Sequence, residues 1–392
     1  MFTKKLGLKP RRKNKQWLFR LGQYAGSMVM CTGMALGLGS CATNSPSSSS
    51  SMMPTQPTLK VVTTFLPITQ FTKAVAGNRA QVIQLLPTTI SPHDYQAKPD
   101  DVLTLTQADV LVQNGLGMEE FLEDLVKNAG NSKLKVIDSS QGIQTITSAS
   151  IEGKDHDHNH DHESNEGKDH DHNHDHESKP QTNSKKDHVH GLYNPHIWLD
   201  PKRVVQQVQT IRDGLIASDP DGKTLYTANA AIYIEQLKEL DAETTQLLLP
   251  YANKTFVAFH DFAPYFAQSY NLNATFLVDV PNENPSPEDV KRIVNTVKQT
   301  QLKAILTEPQ AGERIFATLS KDLAIQVSVF DPLETAPVDG IPPNYYLTTM
   351  RQNVKTLLTA LTGKSTVLQA LSNWYGFTQP WVIIPQRVAI RF

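Results

Sequence analysis

LKVVTTFLPITQFTKAVAGNRAQVIQLLP, residues 59–87, carries the unit that decides the fold. A β-branched run (59–65) gives way to helical spacing in ITQFTKAVAG (68–77), and a second apolar run (80–87) stops at Pro87. Strand, helix and strand in so short a span predict a parallel pair with a covering helix. The alternation continues. PDDVLTLTQA (99–108) opens with acids where a helix start favours them, DVLVQNG (109–115) is strand-like, MEEFLEDLVKNAG (118–130) is helical, and LKVIDSS (134–140) is again a strand.

The second half repeats this grammar. Strands are expected at TFVAFH (255–260), ATFLVD (274–279), KAILTEP (303–309) and IQVSVFDPL (325–333). Helices fall between them, notably 286–299 with its SPED opening, and a last helix covers about 347–361. Between the halves, NPHIWLDP (194–201) offers Asp200 as an N-cap and Pro201 as a first helical residue. That helix should run to about 217. A second, from about 222 to 249, repeats apolar residues at Tyr226, Ala230, Tyr233, Leu237, Leu240, Leu247 and Leu248. It would be ~40 Å long. The expectation is an α/β protein of two similar lobes, each a mostly parallel sheet flanked by helices, joined by a long rigid spine helix. The lobes are assigned to 59–147 with 191–218, and to 251–392, with the spine at 219–250. The apolar tail WVIIPQRVAIRF (381–392) reads equally as an added edge strand or a loose end.

Ahead of this body lies an export signal. Lys4, Lys5, Lys9, Arg11, Arg12, Lys13, Lys15 and Arg20 precede a mostly apolar stretch, 21–39, that stops at LGSC (38–41). Leu–small–small–Cys resembles a lipobox, in which Cys41 becomes the lipidated first residue after removal of 1–40. A plain transmembrane anchor is the alternative, because ~17–25 apolar residues suffice to span. Residues 41–58 are a Ser/Thr/Pro tether reaching roughly 20–25 Å. Cys31 and Cys41 are the two cysteines, so neither a disulfide framework nor a Cys-type zinc ribbon is available. The net charge of −2 gives no field that invites nucleic acid.

The polar stretch 148–190 interrupts the first half. EGKDHDHNHDHES occurs at 152–164 and again, letter for letter, at 166–178. It places His156, His158, His160, His162, His170, His172, His174 and His176 in alternation with Asp and Asn, and His188 and His190 follow. A segment with nothing to bury cannot offset its ordering entropy, so a disordered loop is expected. Neutral imidazole binds divalent transition metals. A flexible insertion that binds metal incidentally is the alternative.

The three remaining histidines, His93, His196 and His260, sit at predicted strand ends or in loops just beyond them, where open α/β sheets bind ligands. They occupy SPHDYQAKPDD, NPHIWLDP and FVAFHDFAPYFAQSYNL. These strings resemble the metal-binding segments of the zinc and manganese solute-binding lipoproteins of ABC transporters, the cluster A-I group. The resemblance extends from about Val61 to about Leu361 and includes ADVLVQNGLGMEEFLEDL (108–125) and YTANAAIYIEQLKELD (226–241).

The resemblance implies His93 and His196 as ligands from the first lobe and His260 as the third, from the second lobe. Asp331, in FDPL, matches a carboxylate that supplies a fourth ligand in some members, with a turn Asp before Pro332 as the alternative. Glu308, in LTEP, is expected beside the site rather than in it. Manganese- and iron-type members carry a carboxylate where His260 stands, and three imidazoles suit zinc. The implied function is an extracytoplasmic, lipid-anchored monomer that captures zinc and delivers it to an ABC permease, not an enzyme. In that function the His-rich loop collects or senses zinc at low affinity. Alternatives are a zinc store or metallochaperone, a manganese-type binding protein, and a zinc hydrolase, against which stands the lack of HExxH.

Overall fold

Four parallel strands form the sheet of the first half: β1 (Leu59–Thr63), β2 (Ala80–Gln84), β3 (Val110–Gln113) and β4 (Lys135–Asp138), in the order β2-β1-β3-β4. Val61 sits between Val82 and Val110 in register. Helices α1 (Leu66–Ala76), α2 (Pro99–Thr106) and α3 (Leu122–Ala129) make the crossovers. The central strands read as continuous apolar runs because a covered parallel sheet is buried on both faces. Pro67 lies in the first turn of α1, where a missing N–H costs nothing. Gly77 ends α1 at φ +57°, and the Asn229 side chain sits 2.9 Å from where a Cβ would stand. Both facts favour glycine there.

The computed structural model describes residues 59–148, 192–281, 284–310, 313–338 and 341–363. The export signal, the lipobox with Cys41, the tether, the His-rich tract and the apolar tail fall outside the described residues. Among the described residues no helix is long and apolar enough to cross a membrane.

The spine is α5 (Lys223–Leu248), preceded by α4 (Pro201–Ser218). Asp200 caps α4 through its side chain, which accepts from the Lys202 N–H at 3.1 Å. Buried Tyr226, Ala230, Tyr233, Leu237 and Leu240 mark the inner face of α5, at the spacing an amphipathic helix needs. The spine packs on α1 and α4 of the first half and on the closing helix α9 (Tyr345–Thr362) of the second. Arg351 of α9 grips Glu243 of α5 through two N–H···O bonds of 2.7 and 3.2 Å.

The second half holds β5 (Thr255–His260) paired with β6 (Asn273–Val278), and β7 (Ala304–Thr307) paired with β8 (Gln326–Val329), all parallel. Helices α6 (Pro264–Ser269), α7 (Pro287–Thr300) and α8 (Glu313–Leu323) connect them. Ser286 and Asp289 close the capping box that SPED suggests. The expected single sheet is instead two ladders. β5 and β7 run side by side, and Val257 and Ile305 share one apolar cluster there.

One continuous core joins the halves, from Val61 and Phe71 through Trp198 and Tyr226 to Phe330 and Met350. Polar bonds cross the same junction. Trp198 Nε1 donates to the Pro332 carbonyl at 2.8 Å, and the Tyr346 hydroxyl donates to the Trp198 carbonyl at 2.8 Å.

Candidate metal centre

Each histidine is placed by a local device. His93 lies in a short 3₁₀ turn, Pro92–Asp94, beyond the C-terminal end of β2. Its backbone N–H donates to Ser91 Oγ at 3.4 Å. His196 immediately precedes the 3₁₀ turn Ile197–Leu199. Its position is set by a turn rather than by a sheet strand's end, in contrast to the expectation. His260 is the last residue of β5, opposite Val278 of β6.

The three rings converge. Their centroids are 5.5 Å (His93–His196), 5.5 Å (His93–His260) and 5.0 Å (His196–His260) apart. His196 and His260 are fully buried. The fourth member is Glu334: one donor atom from each of His93, His196, His260 and Glu334 lies within 4.8 Å of the others. Asp331 is not part of this group. Its Oδ1 accepts from the Leu333 N–H at 2.8 Å, and its own N–H donates to Asn353. Asp331 therefore closes its own turn, as the alternative for FDPL had it. Leu333 then adopts φ +64°, and the reversed chain sends Glu334 inward. Holding a leucine there costs on the order of 1 kcal/mol or more. Such strain persists where the surroundings over-determine it.

Glu334 Oε1 lies 3.4 Å from His93 Nε2, 3.4 Å from His196 Nε2 and 3.2 Å from His260 Nε2, while the last two nitrogens are 3.2 Å apart. A tetrahedral zinc with bonds of about 2.0–2.1 Å would set its ligand atoms about 3.3–3.4 Å apart. Glu334 Oε1 is buried, yet no contact it makes has hydrogen-bond geometry. For Glu334 Oε1, three nitrogens at hydrogen-bond length without the matching angles mean that the oxygen and the rings face a common point, while His196 and His260 also meet through their Nε2 atoms.

Carboxylates and an amide orient the rings from behind. Glu308 Oε1 lies 2.5 Å from His260 Nδ1 and accepts the His260 backbone N–H at 3.2 Å, beside the site as expected. Asn194 Oδ1 lies 3.1 Å from His196 Nδ1, and Asn194 Nδ2 donates across the junction to the Asp261 carbonyl and to Asp261 Oδ2. With the Nδ1 of His196 and of His260 engaged, their Nε2 atoms are left for a metal. Burial pushes His196 well below the ordinary imidazole range, helped by the neighbouring His260 and His93. Burial would also lower His260, but Glu308 and Glu334 outweigh it and hold His260 well above that range. Glu334, though buried, is held well below the ordinary carboxylate range by His93 and His260.

The described residues on either side of the histidine-rich tract pair close to this centre. Thr147 and Tyr193 form an antiparallel bridge, with Ser148 N–H donating to the Leu192 carbonyl at 3.1 Å and Asn194 N–H to the Ile146 carbonyl at 2.9 Å. Ser148 and Leu192 thus meet just ahead of Asn194 and His196 in the chain.

Residues 61–360 match the family described as zinc-uptake complex component A, periplasmic. The zinc-binding protein AdcA of Streptococcus pyogenes is 32% identical over 306 residues, covering 76% of this chain and 55% of that protein. The chain therefore spans about half the length of this curated relative. The manganese-binding lipoprotein MntA of Halalkalibacterium halodurans is 28% identical over 309 residues, covering 77% of this chain and 88% of that protein. The crystal structure of Zn(II)-bound AdcA from Streptococcus pneumoniae superimposes with a TM-score of 0.60 at 27% identity, covering 77% of this chain and 57% of that one.

Proposed function

The chain belongs to the family of periplasmic zinc-uptake component A, and from that premise we propose that it captures zinc outside the cytoplasm and delivers it to an ABC permease. The observation that carries this reading is the convergence of His93, His196, His260 and Glu334 on one buried point between the halves. Three imidazoles and one carboxylate oxygen form a borderline, four-coordinate donor set suited to zinc. The set is closed. A catalytic zinc keeps an open position for water, and four protein ligands leave none, which counts against a hydrolase.

Zinc enters as cargo. His93 and His196 come from the first half and His260 and Glu334 from the second, so the ion bridges both. The shared core and the Trp198, Tyr346 and Arg351 bonds oppose wide hinge opening. Release then proceeds through local movement of the turns bearing His93 and Glu334. The His-rich tract serves as a low-affinity collector: its flanking residues Thr147 and Tyr193 pair near His196, and a tract attached there raises the local zinc concentration. Cys41 carries a lipid anchor that keeps the monomeric body, from 59 onward, at the extracytoplasmic face of the membrane.

Titration against a competing chelator tests the reading on wild type, His260→Ala and a deletion of 152–190. One tight zinc plus several weak ones is expected in the wild type. The tight zinc is lost in His260→Ala, and only the weak ones are lost in the deletion. Retention of the tight ion by His260→Ala would refute the assignment. A manganese-type function, suggested by the likeness to MntA, requires manganese to compete at comparable concentration. The three nitrogen donors argue against it.

A further inference from the structure

The two oxygens of Glu334 are treated differently by the protein. Oε1 faces the three imidazole nitrogens. Oε2 is engaged elsewhere: Ser91 Oγ donates to it at 3.0 Å and Gln310 Nε2 at 3.2 Å. Ser91 and Glu334 are buried. The Gln310 amide also donates to Glu308 Oε2 at 3.0 Å, and Thr335 Oγ1 donates to Gln310 Oε1 at 3.3 Å. That last bond fixes which end of the amide faces the two carboxylates. Ser91 Oγ, in turn, accepts the backbone N–H of His93. One hydroxyl and one amide thus hold Glu334 by its far oxygen, one from each half of the chain.

A carboxylate with one oxygen so engaged offers a metal a single bond. If both oxygens were available, bidentate binding would raise the coordination number above four. Zinc is satisfied by four donors in tetrahedral array, whereas manganese favours an octahedral, oxygen-rich shell. We infer that Ser91 and Gln310 are specificity-determining residues: by occupying Glu334 Oε2 they keep the carboxylate monodentate and the site four-coordinate, which favours zinc over manganese. This rests on the zinc-capture reading and deepens it. The composition of the ligands alone does not exclude manganese, because a carboxylate free to rotate supplies a second oxygen.

The test uses the metal-stripped full chain, loaded with cobalt(II) for its visible spectrum and titrated with zinc and with manganese against chelators. The wild type should give the intense bands of four-coordinate cobalt. In Gln310→Met, and more so in Ser91→Ala/Gln310→Met, the bands should weaken as the second oxygen joins. The zinc-over-manganese affinity ratio should fall by about 10–100-fold, the range that residues behind metal ligands command. Gln310 is only half-buried, so its single variant carries the test if the double variant does not fold. An unchanged spectrum and ratio would overturn the inference, as would an equal loss for both metals, which marks a merely structural role. A wild type that binds zinc tightly but gives five- or six-coordinate cobalt overturns it while leaving zinc capture standing. A wild type that holds no zinc tightly overturns both.

Discussion

The first half of the chain gives the centre two imidazoles, His93 and His196; the second gives it His260, the Glu334 carboxylate and the buried acids beside them. His93 and His196 stand on short 3₁₀ turns, backed by a hydroxyl and an amide. His260 and Glu334 stand beside Glu308 and Asp261, both buried. The difference teaches how a dication is held between two packed halves. One side presents imidazole donors alone. The other concentrates the carboxylates, whose burial is tolerable only with positive partners at hand. Glu308 and Glu334 hold His260 well above the ordinary imidazole range, and His93 and His260 in turn hold Glu334 below the ordinary carboxylate range.

The largest test of this asymmetry is Glu334→Ala against His93→Ala. Glu334→Ala removes the one charged ligand and should cost more zinc affinity than the ~100-fold that residues behind ligands can command. His93→Ala, at the partly exposed edge of the centre, should cost less. The reverse order in a chelator competition would break the comparison. Next comes Glu308→Gln, which keeps an oxygen for His260 Nδ1 but removes its charge. Zinc affinity should fall by about 10–100-fold, with metal stoichiometry unchanged.

Asp331→Asn separates charge at the centre from charge near it. Asn preserves the acceptor for the Leu333 N–H, so zinc affinity should not move. Stability should. Burial pushes the Asp331 carboxyl up to about 6, so the folded state disfavours its ionisation. The resulting penalty is absent below the unfolded value near 3.8, grows as pH rises toward 6, and is complete above it. Asp331→Asn should therefore stabilise the protein only above about pH 4, by at most ~3 kcal/mol at pH 8. Denaturant titrations at pH 4 and 8 read this. A loss of zinc in Asp331→Asn would restore that carboxylate as a ligand.

The smallest effect lies in the first half, away from the metal. Arg79 bonds both oxygens of Asp219, at 2.7 and 2.8 Å, and its hydrogen bond is the main reason the carboxyl sits at about 2. A depressed acid stabilises the fold above its unfolded value and loses that contribution as pH falls from near 4 toward 2. Arg79→Ala should flatten acid unfolding in that window and leave zinc titrations untouched. A zinc effect here would mean that the halves are coupled through the spine.

Much of this was legible along the chain. Asp200 caps the helix at Pro201 and SPED opens the helix at 287, as read, because helix starts depend on neighbours within one turn. The spine's apolar spacing marked its buried face, because helical period is local too. His93, His196 and His260 were picked out as the histidines remaining outside the polar tract, and through their resemblance to a known family. Glu334 was missed although it stands three residues beyond Asp331 in DPLE. The two carboxylates differ only in which side of a left-handed Leu333 they fall on, and nothing in the sequence marks a leucine for that conformation. A search for a second buried acid after the last strand would have raised it.

Local residue patterns set the order of strands and helices, the Asp200 cap, and the kinds of donor atom on offer. Tertiary structure alone decided that the second half splits into two ladders, which acid joins the three imidazoles, and which of its oxygens points at them. The physical reason is range. Period, capping and turn chemistry act over a few residues, whereas four ligands drawn from positions 93 to 334 meet only after the two halves have packed.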